Sequence, residues 1–70
     1  MMSSKKKAFK LIKLRRYKGY SQQQLALESG ISKRCIEDLE QGVANINNAS
    51  VNTLKKLAEV LGCNIEDLIE

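Results

Sequence analysis

Apolar residues recur along this chain at intervals of three and four. Ala8, Leu11, Ile12 and Arg15 stand at i, i+3, i+4 and i+7, one face of a helix, and only the last of them is charged. Leu54, Leu57, Ala58 and Leu61 repeat the pattern. Leu25 with Ala26, Ile36 with Leu39, and Ile65 with Leu68 supply shorter stripes. No sustained two-residue alternation marks a strand. A glycine follows each of four segments (Gly19, Gly30, Gly42, Gly62), where its tolerance of left-handed backbone can close a helix. Capping residues come next: Ser21, Ser32, Ser50 and Asn64. Ser21 with Gln24 forms an S-x-x-Q capping box, and Asn64 with Asp67 resembles one. Proline is absent, so nothing breaks these segments from within. The pattern predicts an all-α chain of five helices, at about 5–18, 22–29, 33–41, 51–61 and 65–69. The loop 43–49 between the third and fourth is asparagine-rich and uncharged.

Seventy residues make one domain, and a domain this small buries only about 60% of its unfolded surface. Capped helices, a ligand or a dimer partner would each help to hold it. No apolar run reaches the ~20 residues of a membrane span. The start, Met1 to Lys7, is polar and lysine-rich with no apolar stretch behind it, unlike a secretory signal. A cytoplasmic protein with two free thiols, Cys35 and Cys63, is therefore expected. The thiols form no CxxC pair and the chain has no histidine, which argues against a zinc site. With no glycine-rich phosphate loop and no nucleophile–base pairing either, neither an enzyme nor a cofactor is expected.

Charge changes the picture more than composition does. The formal net charge is +4, but residues 1–20 carry eight bases and no acid. Residues 21–50 carry two bases and four acids, and so do residues 51–70. A one-sided positive field suits a polyanion. The alternative is a solvated lysine-rich helix face. The expected organisation is a basic arm at 1–7 followed by a single domain at 8–70.

Residues 22–41 carry a more specific pattern. Counting from Gln22, Ala26 is fifth, Gly30 ninth, Ile36 fifteenth and Leu39 eighteenth. Ala26 must be small where two helices cross closely, and Gly30 supplies the tight turn between them. Leu25, Ile31, Ile36 and Leu39 hold the pair on a core. With the flanking stretches "LRRYKGYSQQQLALESGISKRCIEDLEQG" and "SVNTLKKLAEVLGCNIEDL", the chain resembles the phage repressor and Cro family, the Xre regulators, over roughly residues 9–69.

That resemblance implies a compact five-helix bundle. Its second and third helices would form a helix-turn-helix, the third lying in the major groove of double-stranded DNA. Position by position, Gln22 matches a residue that clamps a phosphate at a helix amino end, with Gln23 beside it. Ser32, Lys33 and Arg34 match the front of the recognition helix. Either base can donate to guanine O6 and N7, or hold a phosphate, and Arg34 is the better candidate for a base. Asp38, one turn on, would accept from a cytosine amino group or pair with Arg34 at the rim. Cys35 would touch a thymine methyl or a phosphate, or be partly buried with no role. Asn45, Asn47 and Asn48 can donate to phosphates, and Lys10 and the lysines before it can follow the backbone. Arg15 and Glu40 match a partly buried ion pair that locks the first helix to the third.

Two departures from the family pattern matter. The loop after Gly42 is about three residues longer than the common form, and it lacks a basic residue. Modest monomer affinity and a homodimer are expected, with Asn64–Glu70 and 43–49 as candidate dimer surfaces. The function expected is a small transcriptional regulator, a repressor by preference. No separate sensor domain is expected, so control would come through concentration, a partner protein or proteolysis. The alternative is a protein-interaction module on the same fold, an antitoxin or anti-repressor meeting a toxin or repressor partner. The acids Glu37 and Asp38 favour it.

Overall fold

The computed structural model describes residues 7–70. Four α-helices follow in order: α1 (Phe9–Tyr17), α2 (Gln22–Ser29), α3 (Lys33–Gln41) and α4 (Val51–Leu61). Two short 3-10 turns, Ile46–Asn48 and Ile65–Asp67, flank α4. No strand is present among the described residues. None of these helices is long and apolar enough to cross a membrane.

Serine caps set three of the helix starts. Ser21 Oγ accepts from the Gln24 amide at 3.0 Å, Ser32 Oγ from Cys35 at 3.1 Å, and Ser50 Oγ from Thr53 at 3.1 Å. Each bond satisfies a first-turn amide that has no helical carbonyl to meet. At Ser21 only half of the expected capping box forms, because the Gln24 side chain donates forward to Glu28 instead. The turn between α2 and α3 depends on Gly30, whose φ of +76° lies in the left-handed region. Ser29, beside it, is buried and accepts from the Ile31 amide at 3.2 Å.

Two expectations need correction. The helix expected from about residue 5 starts at Phe9, and Lys7 and Ala8 are not helical. Ala8 has φ −86° and ψ 74°, and its amide donates to the Leu39 carbonyl at the end of α3, so it is tied across the fold. Apart from Lys7, the expected basic arm at 1–7 lies outside the described residues. The fifth helix, expected over 65–69, is the 3-10 turn Ile65–Asp67. Leu68 donates back three residues, to Ile65, and the Glu70 amide goes to Asn47 Oδ1 at 2.9 Å. That amide is taken by a distant side chain, so an α-helix cannot continue through it.

The core draws on every helix. Leu11, Leu25, Ile36, Leu39, Leu54, Leu57 and Leu61 meet Ile46 from the first 3-10 turn and Leu68 just after the second. α2 packs on both α3 and α4, and α1 packs on α3. Burying these side chains stabilises the fold by about 1.5–3 kcal/mol each before the entropy of ordering them is set against it. The core fixes the orientation of α3, whose outer face is left in solvent.

Candidate nucleic-acid interface

One face of α3 is buried and the other is polar. Ile36, Leu39 and Glu40 point inward, and Cys35 packs half-buried against the core. Ser32, Lys33 and Arg34 are exposed, with Glu37 and Asp38 partly so. On the outer face each base pairs with the acid four residues on. Lys33 Nζ lies 3.7 Å from Glu37 Oε2, and Arg34 Nε lies 3.4 Å from Asp38 Oδ1. α3 therefore presents donors and acceptors together, with no surplus of positive charge.

The inner face is held by a charged network. Arg15 Nε donates to Glu40 Oε2 at 2.7 Å and Arg15 Nη2 to Glu40 Oε1 at 3.0 Å, a bidentate pair. Arg15 Nη1 donates to the Tyr20 carbonyl at 2.9 Å, and Gln22 Nε2 to Glu40 Oε1 at 2.8 Å. The two charged side chains are only 12% and 5% exposed, so these bonds replace water lost on burial. The network joins α1, the start of α2 and the end of α3. No buried side-chain nitrogen or oxygen among the described residues lacks a partner.

Gln22 thus stands at the amino end of α2 with one amide hydrogen already committed to Glu40. Its second amide hydrogen remains, and the first-turn backbone amides of Gln22 and Gln23 have no carbonyl within the helix to meet. The asparagines of the loop serve partly as structure. Asn45 Oδ1 accepts from the Asn47 amide at 2.9 Å, and Asn47 Oδ1 accepts from Glu70. Asn48 is exposed. The Lys10 backbone amide donates to Glu70 Oε2 at 2.6 Å, and its side chain faces solvent. Glu70, expected only as part of a dimer surface, so binds the start of α1 to the loop. A carboxylate at a helix amino end is favourable, but nothing in the spacing pointed across 60 positions.

Among the described residues there is no cluster of three metal-ligating side chains. A shallow depression between α4 and the last turn, lined by Lys55, Ala58, Glu59, Cys63 and Ile65, lies outside the α2–α3 unit. There burial, and then the nearby Asp67 carboxylate, raise the Cys63 thiol above its ordinary pKa.

The helix-turn-helix family model matches residues 11–68, most of the chain. The chain belongs to the Cro/C1-type helix-turn-helix family. Among relatives, the HTH-type transcriptional regulator SlrR of Bacillus subtilis (strain 168) is 43% identical over 56 residues. That match takes in 80% of this chain but 36% of SlrR, so the chain spans about a third of that relative's length. Among solved structures, the restriction-modification controller protein C.AhdI from Aeromonas hydrophila superposes with a TM-score of 0.78 at 32% identity. The superposition covers 89% of each chain.

Proposed function

We propose that the protein is a sequence-specific regulator that lays α3 in the major groove of double-stranded DNA. The observation carrying this reading is the two-sided α3. Its inner face is fixed by Leu39 and by Glu40, bonded to Arg15 and Gln22, while Ser32, Lys33, Arg34 and Asp38 are offered outward from a capped amino end. A rigid helix with protruding donors and acceptors is what base-edge reading requires. The relatives described as a transcriptional regulator and a controller protein support it.

On this reading Arg34 meets a base, Lys33 a base or a phosphate, and the amino end of α2 with Gln22 and Gln23 a phosphate. Asn45, Asn47 and Asn48 keep amide donors for the backbone, and Lys10 adds charge to one side. The protein acts as a homodimer on half-sites about one DNA turn apart. The two expected dimer segments, 43–49 and 64–70, are joined by the Glu70–Asn47 bond, and Val43 and Val51 are exposed near that junction in sequence. Sedimentation showing a monomer on DNA would contradict the dimer.

Fluorescence anisotropy against a preferred duplex and a scrambled one, at low and physiological salt, tests the function. Arg34→Ala is expected to weaken the preferred duplex by about 1–3 kcal/mol while leaving the scrambled one nearly unchanged. Equal binding to both duplexes, lost together with salt, would turn the paired acids of α3 toward the second reading, a surface for a protein partner.

A further inference from the structure

The order of charges along α3 is unfavourable for a helix. Lys33 and Arg34 sit in the first turn, where the helix dipole repels cations, and their partners Glu37 and Asp38 follow one turn later. Base before acid is the weaker orientation of an i,i+4 pair, and an exposed pair of either orientation contributes little. Helix stability therefore does not explain the arrangement, and its geometry suggests another use. Asp38 Oδ1 lies 3.4 Å from Arg34 Nε, an ion pair without an aligned hydrogen bond. Asp38 is 31% exposed, whereas Arg34 is 83% exposed and reaches outward. No Arg34 guanidinium nitrogen donates a hydrogen bond among the described residues, so the fork formed by both Nη nitrogens stays free. That fork is the group that matches guanine O6 and N7.

We infer that Asp38 is a positioning residue for sequence reading: its charge draws the guanidinium of Arg34 to its side of the helix so that the two Nη nitrogens address a guanine. This rests on the DNA reading above and deepens it. The acid does a second thing in the same place. Arg34 freed from Asp38 would fold onto the nearest phosphate, a contact available on any sequence. Asp38 both repels that phosphate and occupies the arginine, so it lowers binding to unrelated DNA while sharpening the choice of base. Lys33 is a point charge without a fork, and its looser 3.7 Å contact to Glu37 gives no such aim.

The test uses the duplex that the intact protein prefers and, within it, the base pair whose preference Arg34→Ala abolishes. All four base pairs are placed there and titrated with wild type, Asp38→Ala and Asp38→Glu, beside an unrelated duplex. Alanine removes the acceptor and keeps helix propensity, and an unfolding curve checks that each variant is folded. Wild type is expected to prefer guanine at that position. Asp38→Ala should lose about five-fold or more of the preference, within the span of a bidentate contact. It should also bind the unrelated duplex more tightly, with a salt slope steeper by about 0.9 for one added phosphate contact. Asp38→Glu should restore the preference. Three results overturn the inference while leaving the DNA reading intact: an unchanged guanine preference in Asp38→Ala, loss of preference at a different, cytosine-bearing position, or equal tightening on every duplex. If wild type prefers no base anywhere, the DNA reading falls and this inference with it.

Discussion

Glu40 is only 5% exposed, and three donor bonds from Arg15 and Gln22 replace the water its carboxylate has lost. Truncating either end of the pair strands the other. Arg15→Ala and Glu40→Ala should each cost about 3 kcal/mol, measured by denaturant unfolding. The double mutant should cost clearly less than the two losses added, since it removes both charges; additive losses would mean that the pair is not coupled. The anomaly was visible in the sequence, where one arginine interrupts an apolar stripe. The involvement of Gln22 was not, since only the packing of α1 on α3 brings the three together. Cys63 gives a prediction in pH. Its thiol is raised by burial and then by Asp67, so the folded protein keeps the proton longer than the unfolded chain. Stability from this group is intact below the ordinary thiol pKa and falls as pH rises through the folded one. Unfolding curves above that range should show the decline, and Cys63→Ser should remove it.

Helix starts and stops were legible wherever a short side chain caps the chain locally. The ends of α2, α3 and α4 fall where Ser21, Ser32 and Ser50 and the following glycines put them. The misread ends are those decided by distant partners. Ala8 bonds Leu39 and Glu70 bonds Asn47, and neither partner is near in sequence. For the same reason the loop 43–49 concealed a 3-10 turn that puts Ile46 into the core. Two substitutions probe the α2–α3 unit. A side chain at Gly30 would meet no atom within 4 Å, so Gly30→Ala tests backbone strain alone and should cost about 1–2 kcal/mol. Ser32→Ala removes the cap beneath Lys33 and Arg34 and should cost about 1 kcal/mol, a fall in Tm of roughly 4–8 °C. A Tm unchanged by either would show that the turn is set by packing rather than by local backbone chemistry.

At the scale of the whole molecule, the charge and the reading face are separate. Among the described residues, the stretch through α1 holds Lys7, Lys10, Lys13, Arg15, Arg16 and Lys18 with no acid, while α3 pairs its two outer bases with acids. On the proposed reading, attraction to a polyanion falls on the exposed bases of the first element and discrimination between sequences on the second. Salt should weaken binding to any duplex through the first, and Arg34 variants should change the choice of duplex through the second. The class of fold and the α2–α3 unit were readable from spacing alone. The Arg34–Asp38 pair was readable only as a possibility and the Lys33–Glu37 pair was missed, because an i,i+4 pair forms or not according to the side chains' surroundings. The most direct test of whether α3 reads DNA is selection from a pool of random duplexes at physiological salt, with the bound sequences recovered, for wild type and Arg34→Ala. Wild type should return a two-fold symmetric motif, and Arg34→Ala the same motif relaxed at one position in each half. Recovery of no motif by wild type, or of an identical motif by both proteins, would contradict the assignment of α3 and Arg34 to base reading.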